Sequence, residues 1–241
     1  MAFVVYTMGK VGSRAIDLGL EHANVKAWHI HTLDPALIQW HLKRSHEREN
    51  LPPGHVCTSM YLMQRKLRDP VYISCVRDPV ARNLSAYFQN LPDYVADPAS
   101  ADPQYVLDRF IEEYNHDIPL TWFDREWKAY RGIDIYAEPP AHDEKMLRGA
   151  NWIVLKPEAN PAFKSELFSE LAGRPVKITL VNEGEKKEHA ALYTAIKQRA
   201  RMKPDLADRI YDSPFVRQFW SPAEREGMHR QWTETDAHAA T

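Results

Sequence analysis

Phe3-Val4-Val5-Tyr6-Thr7-Met8-Gly9-Lys10-Val11-Gly12-Ser13-Arg14 stands at the start of the chain. Its apolar, β-branched and aromatic opening reads as a buried parallel strand. The run breaks into a loop with two glycines, a lysine and a serine. Ala15-Ile16-Asp17-Leu18-Gly19-Leu20 then reads as an amphipathic helix. A strand, a glycine loop and a helix N-terminus in that order make a cradle for phosphate. Backbone N–H groups point at the anion, glycine lets it come close, and the helix dipole favours its charge. Lys10 adds a mobile cation. This is not a Walker A loop, because the lysine precedes the second glycine. A tight turn with a solvated lysine is the competing reading.

A second strand-to-helix junction follows at Val71-Tyr72-Ile73-Ser74-Cys75-Val76-Arg77-Asp78-Pro79, running on to Ser85. Pro79 suits the first helical position and Asp78 the N-cap. Arg77 stands at the carboxyl end of its strand, where open α/β sheets bind ligands. Ser85 lies two turns into the helix. An Arg77–Asp78 pair beside an ordinary helix serine would explain the segment equally well if it stood alone.

Together the two segments resemble the PAPS-dependent sulfotransferases. In that family the first loop binds the 5′-phosphosulfate of 3′-phosphoadenosine-5′-phosphosulfate (PAPS), and an R-D-P-x-x-x-x-x-S segment binds the 3′-phosphate. The resemblance assigns the phosphosulfate to Gly9, Lys10, Val11, Gly12, Ser13 and Arg14, and the 3′-phosphate to Arg77 and Ser85. M-G-K-V-G-S departs from the P-K-led loop of many relatives. It is closer to bacterial carbohydrate sulfotransferases and to a capsular-polysaccharide synthesis family. Similarity to the latter extends to Trp122-Phe123-Asp124, Gly132-Ile133-Asp134-Ile135-Tyr136 and Phe215-Val216-Arg217-Gln218-Phe219-Trp220-Ser221.

Sulfuryl transfer is an in-line displacement that releases 3′,5′-diphosphoadenosine. It needs a base for the acceptor hydroxyl, most often His, and a cation for the leaving oxygen. Lys10 is the candidate cation. The chain has 11 histidines. Pro53-Gly54-His55-Val56 is similar to the G-H-V segment of heparan- and uronyl-type 2-O-sulfotransferases, which makes His55 the catalytic candidate. In Trp28-His29-Ile30-His31-Thr32 the period of a strand puts His29 and His31 on one face. His31, nearer the carboxyl end, is the candidate for an acceptor or cofactor contact. His29 reads as a satisfied, partly buried side chain.

The expected fold is α/β: a three-layer, P-loop-like arrangement with a central parallel sheet of four or five strands flanked by helices. At 241 residues the chain suits one domain, taken as 1–232 with a flexible tail at 233–241. A net charge of −2 advertises no polyanion-binding surface, so nucleic acid is not an expected partner. Two cysteines offer no disulfide framework. The first strand begins almost at Met1, which predicts a cytoplasmic protein with neither leader nor membrane anchor. The expected ligands are PAPS and a saccharide or small-molecule acceptor, without a metal; the oligomeric state is not legible.

Further helices are expected at 35–49, 57–67, 105–114, 121–130, 162–171 and 186–201, and strands at 25–32 and 152–155. Leu91 to Pro103 reads as a loop, long enough for a lid. Met60, Tyr61 and Met63 read as core, as do most of Trp122, Phe123, Trp127 and Tyr130. Glu183 to Glu188 reads as an exposed helix start. Two other function classes stay open: a nucleotide-dependent kinase, which the missing G-K-[ST] disfavours, and a nucleotide-binding module without catalysis.

Overall fold

The computed structural model describes residues 2–142, 144–157, 159–179 and 189–234. The expected helix start at 183–188 and the tail from 235 onward lie outside these residues. The chain forms two compact units, residues 1–77 with 122–181 and residues 78–121 with 182–241.

The first unit is built on a five-stranded sheet of order β2-β1-β3-β5-β4. Its strands are β1 (Ala2–Tyr6), β2 (Ala27–Ile30), β3 (Pro70–Cys75), β4 (Met146–Arg148) and β5 (Trp152–Leu155). β2, β1, β3 and β5 run parallel, and β4 lies antiparallel to β5. The purely parallel sheet expected from sequence is thus corrected at one edge. Only Gly149, Ala150 and Asn151 join β4 to β5, too few for a crossover, so the two strands must form a hairpin. The Trp152 ring crowds Gly149 so closely that a Cβ there would sit 2.2 Å from Nε1. The sheet is packed on both faces. Phe3 meets Phe168 of α8 (Pro161–Ala172) edge-on, with ring centres 6.3 Å apart. Tyr6, whose side chain faces the other way from its strand neighbour Val5, meets Trp122 at 5.3 Å and Trp127 at 6.4 Å.

The helices of this unit follow from local signals. α1 (Arg14–His22) buries Ile16, Gly19 and Leu20. α2 (Pro35–Glu47) starts at Asp34, whose carboxylate accepts from the Ala36 N–H, with Pro35 in the first turn. α3 (Gly54–Met63) starts three residues earlier than expected. Its buried face is Val56, Ser59 and Leu62, so Met60, Tyr61 and Met63 are exposed rather than core. Residues 118–131 form one helical run. α6 (Ile118–Phe123) passes through a π-helical turn, Asp124–Lys128, into α7 (Ala129–Arg131). The unit boundary falls inside α6, after Thr121. Trp122, Phe123 and Trp127 are buried. Cys75 is buried in β3, whereas Cys57 is exposed on α3.

The second unit is helical: α4 (Pro79–Gln89), α5 (Pro103–Glu113), α9 (Ala190–Arg199), α10 (Pro204–Tyr211), α11 (Pro214–Phe219) and α12 (Pro222–Thr233). Asp78 caps α4 by accepting from the Ala81 N–H at 2.6 Å, with Pro79 in the first turn as expected. The second carboxylate oxygen of Asp78 accepts from the Tyr211 hydroxyl at 2.9 Å. α12 carries a reciprocal capping box between Ser221 and Glu224. Among the described residues no helix is long and apolar enough to cross a membrane.

Candidate functional site

The loop between β1 and α1 is the geometric centre of the candidate site. Gly9, Lys10 and Gly12 take positive φ values of 72°, 61° and 79°. Such left-handed backbone costs glycine nothing. The loop ends at Ser13, the N-cap residue of α1, whose side chain caps no helix N–H group. It is 4 % exposed and turned inward. Arg77, just beyond the carboxyl end of β3, donates from Nη1 to the Lys10 carbonyl at 3.2 Å. This bond ties the two sequence segments together within the first unit.

Histidines gather on the inner side of the loop. His31 lies just past the end of β2, and its ring sits 3.9 Å from where a Gly9 Cβ would stand. His31 Nδ1 lies 2.9 Å from the Thr7 carbonyl oxygen, which can only accept. Nδ1 therefore carries a proton, and a neutral ring keeps its lone pair at Nε2. The His55 ring lies 4.5 Å from His31, and His41 of α2 lies 5.9 Å from His55. His55 is thus in the first turn of a helix, not in a loop. Burial, then the nearby charges of His41 and His29, push His55 down to about 4. His41 is likewise lowered, by burial and by Arg44.

His29 is more than a satisfied strand residue. Its Nε2 lies 3.1 Å from Ser13 Oγ, and its Nδ1 lies 3.5 Å from Asp17 Oδ2 on α1. Thr7 Oγ1 donates to the same Ser13 oxygen at 3.1 Å. Burial alone would raise the Asp17 carboxyl. The hydrogen bond and charge of His29 and the ion pair with Arg14 outweigh it and hold the group below the usual carboxylate range.

Glu126, on the π-helical turn, was not legible as a site-supporting residue. It is 2 % exposed, and its carboxylate accepts from Thr32 Oγ1 at 2.7 Å, from the Leu33 N–H at 2.8 Å and from the Tyr6 hydroxyl. Burial raises its pKa, against the lowering effect of those three donors. The Trp122 indole N–H donates to the His31 carbonyl at 3.3 Å, and that of Trp127 to the Tyr6 carbonyl at 3.3 Å. These bonds fasten the carboxyl ends of β1 and β2, on which the loop and His31 depend. A glutamate set among tryptophans in W-F-D-R-E-W was the only sequence signal for it.

Of the residues expected from sequence, Gly9, Lys10, Val11, Gly12, Ser13, Arg14, His31, His55 and Arg77 all belong to the first unit. Val11 is buried and holds the loop down, while Arg14 is exposed and paired with Asp17. Ser85 stands half-buried on α4 of the second unit. Among the described residues no group of three His, Cys, Asp or Glu side chains is arranged to hold a metal ion. No family model, curated protein or solved structure matches the chain.

Proposed function

We propose that the chain is a PAPS-dependent sulfotransferase with a P-loop-like fold, acting on a hydroxyl of a carbohydrate acceptor. The observation that supports this reading is the meeting of a glycine loop of left-handed backbone with two contacting imidazoles. Gly9, Lys10 and Gly12 take positive φ values, the His31 ring lies against Gly9, and His55 lies against His31. A sulfuryl donor needs both halves: fixed donors and a cation for its phosphosulfate, and a base within reach of the acceptor.

In this reading the loop N–H groups and the first turn of α1 hold the 5′-phosphosulfate, with Lys10 beside the bridging oxygen. The acceptor oxygen attacks sulfur, the S–O bond to the phosphate breaks, and negative charge gathers on the leaving oxygen. Lys10 offsets that charge. The acceptor proton passes to an imidazole. His55 is neutral throughout the physiological range because its pKa sits at about 4. A base so weak gains strength from the donor itself, since a nearby polyanion stabilises the imidazolium. Arg77 takes the 3′-phosphate; the assignment of Ser85 to that phosphate rests on the sequence resemblance. Lys10 precedes Gly12, and no hydroxyl residue follows it directly to hold Mg²⁺ as a kinase loop would.

Incubation with labelled PAPS and a panel of saccharide acceptors in EDTA, read by mass spectrometry, tests the proposal. Sulfated product is the expected result. Phosphate transfer from ATP that requires Mg²⁺, with none from PAPS, would overturn it.

A further inference from the structure

We propose that a cleft at the amino ends of β3 and β5 is a binding site separate from the glycine loop, for a small organic phosphate or sulfate with a flat apolar ring. The cleft has a volume of about 570 Å³, within the range of small-ligand pockets. All of its lining residues belong to the first unit. Pro70 opens β3 beside Ala2, Tyr72 stands beside Val4, and the Asn151 carbonyl accepts from the Tyr72 N–H at 2.9 Å. The glycine loop leaves the opposite, carboxyl end of β1. The inference is therefore independent of what that loop binds.

The lining holds Arg65, Lys66 and Arg131 and no Asp or Glu. Among the described residues none of these three cations forms an ion pair. Arg131 Nη1 donates to the Tyr130 carbonyl at 3.1 Å, and its buried Nε has no acceptor. A guanidinium has five N–H donors, so most of this one's capacity is unused. The carboxylates nearby in the chain are engaged elsewhere. Asp69 pairs with Arg68 at 3.7 Å, Glu126 accepts from Tyr6, Thr32 and Leu33, and Asp34 caps α2 and holds the Tyr130 hydroxyl. The carboxyl end of α3, at Met63, brings only about half a negative charge. Its Tyr61 and Leu62 carbonyls accept from the Gln64 and Arg65 N–H groups. Three whole positive charges outweigh it.

The walls decide what must carry the anion. Val4 and Tyr72 share the sheet face of Trp127, whose ring lies 6.4 Å from that of Tyr72. The Arg131 guanidinium lies over the Tyr72 ring, 5.7 Å from its centre. Leu33 and Leu62 add buried apolar surface. Tyr72 and Tyr130 are half-buried, so each still offers part of its ring. Gln64 and Asn151 are exposed amides that can donate or accept. An inorganic ion would use the cations and leave the aromatic wall wet. A neutral ring would cover the wall and leave three cations without a counter-charge. A ring bearing a tetrahedral oxyanion uses both, and the arginine forks match pairs of its oxygens.

1-Naphthyl phosphate and 1-naphthyl sulfate are the probes, with 1-naphthol and inorganic phosphate as controls. Binding is read by nuclear magnetic resonance at the Asn151 side-chain amide, which reports this cleft and not the loop. At least one ester should shift that signal, with an affinity that falls as NaCl is raised. The tighter of the two names the source of the anion. 1-Naphthol and inorganic phosphate should each bind at least about tenfold more weakly. Arg65 and Lys66 are exposed, so the double variant Arg65→Ala, Lys66→Ala should fold normally. It should weaken the ester by about tenfold or more. Arg131→Gln should do the same, and the double variant decides the matter if Arg131→Gln does not fold. No shift at Asn151 with either ester, equal affinity for 1-naphthol, or unchanged affinity in the double variant overturns the inference. None of these results touches the sulfotransferase reading, which is judged by transfer from PAPS.

Discussion

His31 and His55 hold their imidazole rings 4.5 Å apart, and the Nδ1 proton of His31 is committed to the Thr7 carbonyl at 2.9 Å. One ring is anchored to the loop by its backbone and the other is carried by a helix, so the two can be separated by mutation. His55→Ala should lower kcat roughly 10²–10⁴-fold, the range for loss of a general base. Affinity for 3′,5′-diphosphoadenosine should hardly change. Steady-state rates set beside calorimetry check both halves. A nearly normal His55→Ala together with an inactive His31→Ala would move the base to the end of β2.

Arg77 has two tasks in the proposed site, and its removal should show both. Arg77→Ala takes a cation from the 3′-phosphate and a donor from the Lys10 carbonyl. Nucleotide affinity should weaken by about 1–3 kcal/mol, the usual worth of a charge-assisted bond. Calorimetry with 3′,5′-diphosphoadenosine against 5′-AMP locates the loss. The variant should discriminate poorly between the two, while the wild type prefers the 3′-phosphorylated nucleotide.

The low pKa of His55 makes folding stability depend on pH. Its folded value of about 4 lies below the ordinary 6.5, so the unfolded chain binds the proton more readily. Stability is full above about pH 6.5, falls as the pH drops toward 4, and levels off below. One pKa unit corresponds to about 1.4 kcal/mol, but screening of the half-buried ring reduces the effect. Urea midpoints between pH 4 and 7 should show the slope. His55→Asn should reduce it and leave the share of His41 and His116, which burial also lowers.

Gly19 on α1 is a packing position. Alanine favours a helix interior over glycine by about 1 kcal/mol. Here a Cβ would lie 2.4 Å from Ile178 Cδ1 and 2.9 Å from the Lys177 carbonyl oxygen. The side-chain methyl could swing away, but the backbone oxygen cannot. Gly19→Ala should therefore destabilise by about 1–3 kcal/mol, as overpacking does. Thermal melts will show the sign.

The parts of this molecule that were legible in its sequence are those fixed by neighbours along the chain. The β1 run, the Gly9 to Ser13 loop and the Asp78–Pro79 helix start depend on residues a few positions apart. α3 was misplaced because it starts at Gly54 behind Pro53, whose side chain caps no N–H group, so the usual start signal is missing. β4 is three residues long and has no alternation to betray it. The π-helical turn around Glu126 sits where donors from β1 and β2 converge on one carboxylate. No local pattern announces that. His29 and His31 could be placed on one face by the strand period. The approach of His41 and His55 arises from the packing of α2 and α3.

Lys10 is the one residue of the loop that pays for its place. Glycine would adopt its φ of 61° freely, whereas a lysine there gives up on the order of 1 kcal/mol. Lys10→Gly should relieve that strain while abolishing the transfer proposed above, which melting curves set beside the labelled-donor assay check. A screen that selected this chain for heat resistance alone would erode position 10 early. The same screen under selection for turnover would keep the lysine and look for its compensation elsewhere in the fold.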